Sequence, residues 1–152
     1  MANNQCLFCK IVKGEIPSHK IYEDDSVVGI LDLFPNTEGQ TVVINKKHYP
    51  SDFTKMPDDD FRKLLLSAKK LVYVLKQKLE VAKIALVVEG TGVDHIHIKL
   101  YPMNGLDEDF EISESQKTVY YETYPGFIDT RPGEKADDSD LARLANRIKN
   151  SP

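Results

Sequence analysis

The sequence predicts a single α+β domain with a mainly antiparallel sheet, and three observations predict it. The chain has 152 residues, 41% of them hydrophobic and 29% charged. A chain of that size buries about 68–70% of its unfolded surface, enough for a core without disulfides. Its apolar residues change period along the chain, alternating in short runs and recurring at helical spacing in one long run. The resulting order is a short helix, three strands, a long helix and two strands.

Each element has its own justification. Cys6 to Lys13 reads as a short helix with Leu7, Phe8, Ile11 and Val12 apolar, stopped by Gly14 with Pro17 beyond it. Lys20 to Glu23 and Ser26 to Asp32 read as strands joined by the turn Glu23-Asp24-Asp25. Gln40 to Asn45 is a third strand, reached through a loop whose Pro35, Asn36 and Gly39 are turn residues. Asp58 to Glu80 is the long helix. Its apolar face is Phe61, Leu64, Leu65, Ala68, Val72, Leu75 and Leu79, and Asp58, Asp59 and Asp60 suit the dipole of its first turn. Lys83 to Glu89 is a strand, Gly90-Thr91-Gly92 turns the chain, and Val93 to Tyr101 is the last strand of the core.

Charge divides the chain. Residues 1–102 carry 14 basic and 13 acidic side chains, a net +1; residues 103–152 carry 6 and 11, a net −5. The first stretch reads as the core domain and the second as an acidic C-terminal extension. Within the extension Thr118 to Thr123 reads as a strand, and Tyr124-Pro125-Gly126 and Arg131-Pro132-Gly133 as turns. Residues 137–149 read as a helix with Leu141, Leu144, Ala145 and Ile148 apolar.

Composition also excludes functions. A net charge of −4 lacks the basic stripe of a nucleic-acid binder. No apolar run approaches the ~18–20 residues of a membrane span. Met1 to Cys6 is polar, without the apolar stretch of a signal peptide, so the expected compartment is the cytoplasm, where thiols stay reduced.

Two groups of residues carry chemistry. In Val93 to Tyr101, alternation puts His95, His97, Lys99 and Tyr101 on one face and Asp94, Ile96, Ile98 and Leu100 on the other. The second face is mostly aliphatic and reads as core. The first is a row of nitrogen-bearing side chains roughly 7 Å apart, twice the strand rise. The same pattern also describes a solvated strand face with two incidental histidines. The second group is Cys6-x-x-Cys9 with His48. A C-x-x-C among reduced thiols is a metal half-site or a redox pair, and this one opens the chain before any strand, unlike a thioredoxin-type motif. A structural zinc site needs two further ligands, for which His19, His48, His95 and His97 are the histidines available. Two buried cysteines acting as small hydrophobes are the alternative.

Five segments, in order, resemble the histidine triad family of hydrolases and transferases. They are Cys6-Leu7-Phe8-Cys9-Lys10-Ile11-Val12 with Glu15-Ile16-Pro17; Tyr22-Glu23-Asp24-Asp25; Leu31-Asp32-Leu33-Phe34-Pro35; Thr41 to His48; and Val93-Asp94-His95-Ile96-His97 with Pro102. The resemblance covers residues 6 to 102. It implies a five-stranded antiparallel sheet with one long and one short helix, and a homodimer joining two sheets. It also implies binding of a purine nucleotide and cleavage at the α-phosphate of a dinucleoside polyphosphate or nucleoside phosphoramidate, through a nucleotidyl-histidine. In this chain that assigns the nucleophile to His97 and the ribose hydroxyls to Asp32. The base is enclosed by Leu7, Phe8, Ile11, Ile30 and Leu33. It further implies a structural zinc held by Cys6, Cys9, His48 and His95, leaving His19 as a surface residue.

The chain departs from the family pattern in three places, one being the turn Gly90-Thr91-Gly92, shorter than in many members. Lys99 stands where the third histidine of the triad is expected. An asparagine that often precedes the glycine turn is absent, and Val88-Glu89-Gly90 stands there. Lysine keeps a phosphate-binding cation but is a point charge with a longer reach. The expected function is therefore a nucleotide hydrolase or nucleotidyl transferase. The rivals are a nucleotide-binding regulatory protein with little turnover and a small zinc-stabilised interaction module.

Overall fold

The computed structural model describes residues 5–106 and 135–150. Helix α1 is Leu7–Val12, followed by strands β1 (Lys20–Glu23), β2 (Val27–Leu31) and β3 (Thr41–Asn45). A 3-10 turn at Phe53–Lys55 leads into α2 (Asp58–Leu79). Strands β4 (Ile84–Val87) and β5 (His97–Pro102) follow, then α3 (Asp138–Asn150). The expected strand over Thr118 to Thr123 and the two turns after it lie outside the described residues.

The strands form one five-stranded sheet in the order β1-β2-β3-β5-β4, with every neighbouring pair antiparallel. Register fixes what each face carries. Val28, Ile44 and His97 are directly opposed across β2, β3 and β5. Ile30, Val42, Lys99 and Val87 form the next such row. Opposed residues share a face, so both rows lie on the side that α1 covers with Phe8, Cys9 and Ile11. Val27, Leu31, Val43, Ile98 and Leu100 point the other way, into a cluster with α2 and α3.

Helix α2 covers that second face with Leu64, Ala68, Leu71 and Leu75, all fully buried. The expected apolar face includes Leu64, Ala68 and Leu75 but leaves out Leu71, which the same helical spacing puts among them. A Cβ on Gly29 would lie 2.6 Å from the Leu71 methyl Cδ2, so the bare glycine lets the helix settle on β2. Phe61, Leu65, Val72 and Leu79 are only half-buried around this contact. Helix α3 adds Leu141, Ala145 and Ile148 to the same cluster. Asp137 caps it by accepting from the backbone N–H groups of Ser139 and Asp140 at 2.9 and 3.2 Å.

Some expected strands are shorter than their sequence patterns: that over Lys83 to Glu89 spans only Ile84–Val87. The strand expected over Val93 to Tyr101 begins only at His97. Its partner β3 ends at Asn45, and from there Ile96 donates instead to the Tyr49 carbonyl at 3.0 Å. Residues 93–96 therefore bend, and strict alternation does not apply to them. Asp94, expected on the core-facing side, is exposed and accepts from the Ser51 N–H at 2.9 Å. Ile96, Ile98 and Leu100 are fully buried as expected.

Candidate active site and metal centre

The α1 face of the sheet holds two adjoining groups. The first gathers Cys6, Cys9, His48 and His95, whose ligand atoms all lie within 4.8 Å of one another. Three elements bring them together. Cys6 and Cys9 sit on and just before α1, His48 follows β3, and His95 lies in the bend before β5. The Cys6 Sγ is 3.4 Å from His95 Nδ1, and the Cys9 Sγ is 3.4 Å from His48 Nδ1 and 3.5 Å from His95 Nδ1. The two Nδ1 atoms are 3.2 Å apart.

These distances fit the edges of a tetrahedron. Zinc–nitrogen bonds of about 2.0–2.1 Å and zinc–sulfur bonds of about 2.3 Å give edges of roughly 3.3–3.8 Å. The outer side of His95 also fits. Its Nε2–H donates to the Asn45 carbonyl at 2.7 Å, which leaves the Nδ1 lone pair facing the thiols. Burial holds the His95 imidazolium form down, with a pKa lowered to about 4, and the neighbouring His48 and His97 act in the same direction. A neutral imidazole is the form that binds a metal. His19, by contrast, takes no part in this cluster; its Nε2 meets Asp138 at 2.8 Å, tying β1 to α3.

The second group lines a cavity of about 370 Å³. Leu7, Phe8, Ile11, Ile30 and Leu33 form apolar walls, and Asp32, His97 and Lys99 also line it. Every residue expected at the nucleotide site thus faces one cavity. Asp32 is held firmly there. One carboxylate oxygen accepts from the Phe34 N–H at 2.9 Å and the other from Gln40 Nε2 at 2.7 Å. The amide oxygen of Gln40 in turn accepts from the Asn36 N–H at 2.8 Å.

His97 is 97% shielded from solvent. Its Nδ1 lies 2.7 Å from the carbonyl of His95. A carbonyl only accepts, so Nδ1 carries the proton and Nε2 keeps its lone pair. Burial lowers the His97 pKa below the ordinary histidine value, and the positive charge of Lys99 adds to the effect. The ring packs edge-on against Phe8, with centroids 5.0 Å apart. The result is a neutral, oriented imidazole beside an apolar pocket.

Sequence reading missed Gln40 and Glu89, polar side chains that also line the cavity. Gln40 is 3% exposed and buttresses Asp32. Its signal was an amide directly before the run Thr41-Val42-Val43-Ile44 and after the turn residue Gly39. Glu89 forms an ion pair with Lys99, Oε2 to Nζ 2.8 Å, with the two side chains only 19% and 18% exposed. Its signal was an acid closing the apolar stretch Ile84 to Val88, directly before the glycine turn.

The HIT domain family model matches residues 13–104. The chain belongs to the HIT family. Over 102 residues, 64% of this chain and 78% of the relative, it is 42% identical to an uncharacterized HIT-like protein of Methanocaldococcus jannaschii. It is 36% identical to the adenosine 5′-monophosphoramidase of Candida albicans, over 64% of this chain and 69% of that one. The solved structure of a zinc-bound histidine triad family protein from Mycobacterium smegmatis is similar, with a TM-score of 0.67 and 25% identity. That match covers 95% of this chain and 91% of the other. The five-stranded antiparallel sheet is that of a HIT-like fold. The matched HIT domain contains His48, His95, His97 and Lys99, while Cys6 and Cys9 precede it. Among the described residues no helix is long and apolar enough to cross a membrane.

Proposed function

We propose that this HIT protein is a nucleotide hydrolase or nucleotidyl transferase that cleaves at the α-phosphate of a dinucleoside polyphosphate or nucleoside phosphoramidate. The observation that carries the reading is His97: a buried imidazole with Nδ1–H fixed on a carbonyl and Nε2 available, lining the same cavity as Asp32 and five apolar side chains. In this reading Leu7, Phe8, Ile11, Ile30 and Leu33 enclose a purine, and Asp32 accepts from the ribose hydroxyls. The Nε2 lone pair attacks the α-phosphorus. A phosphorus–nitrogen bond forms as the bond to the leaving group breaks, and the leaving group departs with the electron pair, an amine taking up a proton from solvent as it leaves. Water then cleaves the phosphorus–nitrogen bond and releases the nucleoside monophosphate. Splitting one displacement into two is the benefit of covalent catalysis. Lys99 takes the place of the third triad histidine and faces the transferred phosphate as a fixed cation.

Cys6, Cys9, His48 and His95 are proposed to hold one zinc. The tetrahedral spacing of their donor atoms and the zinc-bound M. smegmatis relative support this. Zinc would brace α1 against the strands. We also propose that the function resides in residues 1–102, that the protein is cytoplasmic, and that it pairs as a homodimer. The sheet-edge position of β4 supports the pairing, which sedimentation would test.

A nucleotide-binding regulatory protein with little turnover is the second reading, and the Glu89–Lys99 pair favours it because the cation is already engaged. One assay separates the two. Wild type and His97→Ala are incubated with adenosine 5′-phosphoramidate, diadenosine tetraphosphate and adenosine 5′-sulfatophosphate. Release of AMP by wild type alone supports the enzyme. Binding without release by either protein supports the regulator.

A further inference from the structure

Resting on the enzymatic reading, we propose that Glu89 is a specificity-determining residue that makes this site favour amine leaving groups over polyphosphate ones. The argument starts from charge. Among the described residues, the charged side chains lining the cavity are Asp32, Glu89 and Lys99. Their sum is −1, from two carboxylates and one ammonium. A cavity built only to hold polyphosphate would carry an excess of cations.

The pairing sharpens this. Lys99 projects from β5 on the His97 face, and Glu89 meets it from the segment after β4. Both side chains are mostly shielded, so water screens their charges little. A phosphoryl oxygen that takes Lys99 must share it with, or displace, a carboxylate 2.8 Å away. A monoanionic phosphoryl group beside Lys99 and Glu89 brings the sum of the three charges to −1. A leaving group bearing further phosphates adds two or three negative charges beside Glu89 and is repelled. A leaving amine, neutral or carrying a second ammonium group, meets attraction instead. Coulomb energies between groups several ångströms apart at an effective dielectric near 20 make each such charge worth about tenfold or more in binding. Specificity then comes from a repulsive element set against the wrong substrate.

The test compares wild type with Glu89→Gln, which keeps the side chain's shape and removes its charge. Two substrates are used: an adenosine 5′-phosphoramidate whose amine carries a second, free ammonium group, and diadenosine tetraphosphate. The ratio of their kcat/KM values should fall by about tenfold or more in Glu89→Gln, chiefly because the tetraphosphate is cleaved better. An unchanged ratio overturns the proposal while leaving the enzymatic reading intact. Affinity is measured in parallel for adenosine 5′-triphosphate and adenosine. If neither protein cleaves either substrate, the enzymatic reading fails, and the charge gate is judged on affinity alone. A tenfold gain in the preference for triphosphate over adenosine supports it, and equal preferences overturn it.

Discussion

The two faces of the sheet are covered by helices of very different size, and the difference separates stability from chemistry. On one face α2 runs for 22 residues and, with α3, closes over aliphatic side chains. On the other, α1 has six residues. An isolated helix under ~12–15 residues is marginal in water, so α1 depends on what it packs against. It contributes Phe8, Cys9 and Ile11 to a small apolar cluster and is clamped at one end by contacts of Cys6 and Cys9 with His48 and His95. The short cover leaves a cavity beside it. A polar clamp thus substitutes for the hydrophobic area that the cavity beside α1 removes.

Substitutions on the two faces should therefore behave differently. The largest effect is expected on the α1 face: His97→Ala should abolish turnover while cooperative unfolding and nucleotide binding persist, as read by AMP release, thermal melting and titration with AMP. Next come Cys6→Ser and Cys9→Ser. Purified wild type should contain about one zinc per chain, and each variant should lose both zinc and melting temperature, because a closed structural site contributes folding free energy directly. Elemental analysis finding no metal in protein prepared without chelator would defeat this. On the opposite face, Leu71→Ala removes a fully buried side chain and should cost about 2–5 kcal/mol in denaturant unfolding, with the rate per folded molecule unchanged. A collapse of rate equal to that of His97→Ala would show that the faces are not separable. Lys99→Ala should raise the barrier by about 2.7–4 kcal/mol, the scale of one lost oxyanion donor, in single-turnover cleavage of a nucleoside phosphoramidate. Lys99→His should keep or raise the rate. The smallest effect is Asp137→Ala at the start of α3, about 1 kcal/mol of stability and no change in rate.

The same division governs what could be read from the sequence. Cysteines have few alternative uses, so Cys6 and Cys9 stood out; residue type left four histidines open, and the family resemblance singled out His48 and His95, which the fold gathers beside the thiols. Strand alternation placed His97 and Lys99 on one face, and the register agrees. What alternation could not show is where a strand ends. Its start at His97 depends on β3 ending at Asn45, a partner-strand property absent from local pattern. Leu71 was legible, because Leu64, Ala68, Leu71 and Leu75 follow one helical spacing; the expected face was instead turned toward Phe61, Leu65, Val72 and Leu79, which are half-buried. Glu89 and Gln40 were missed for another reason. Each acts through a tertiary partner, Lys99 and Asp32, and neither residue type announces a role by itself.

The most direct test of the account is to trap the intermediate on the α1 face. Wild type and His97→Ala are mixed with a nucleoside phosphoramidate, quenched with base within one turnover to preserve an acid-labile phosphorus–nitrogen bond, digested, and analysed by mass spectrometry. The account predicts a nucleotidyl mass increment on the peptide containing His97 in wild type and none in the variant. A nucleotidyl group on another residue, or cleavage by His97→Ala at the wild-type rate, would contradict it.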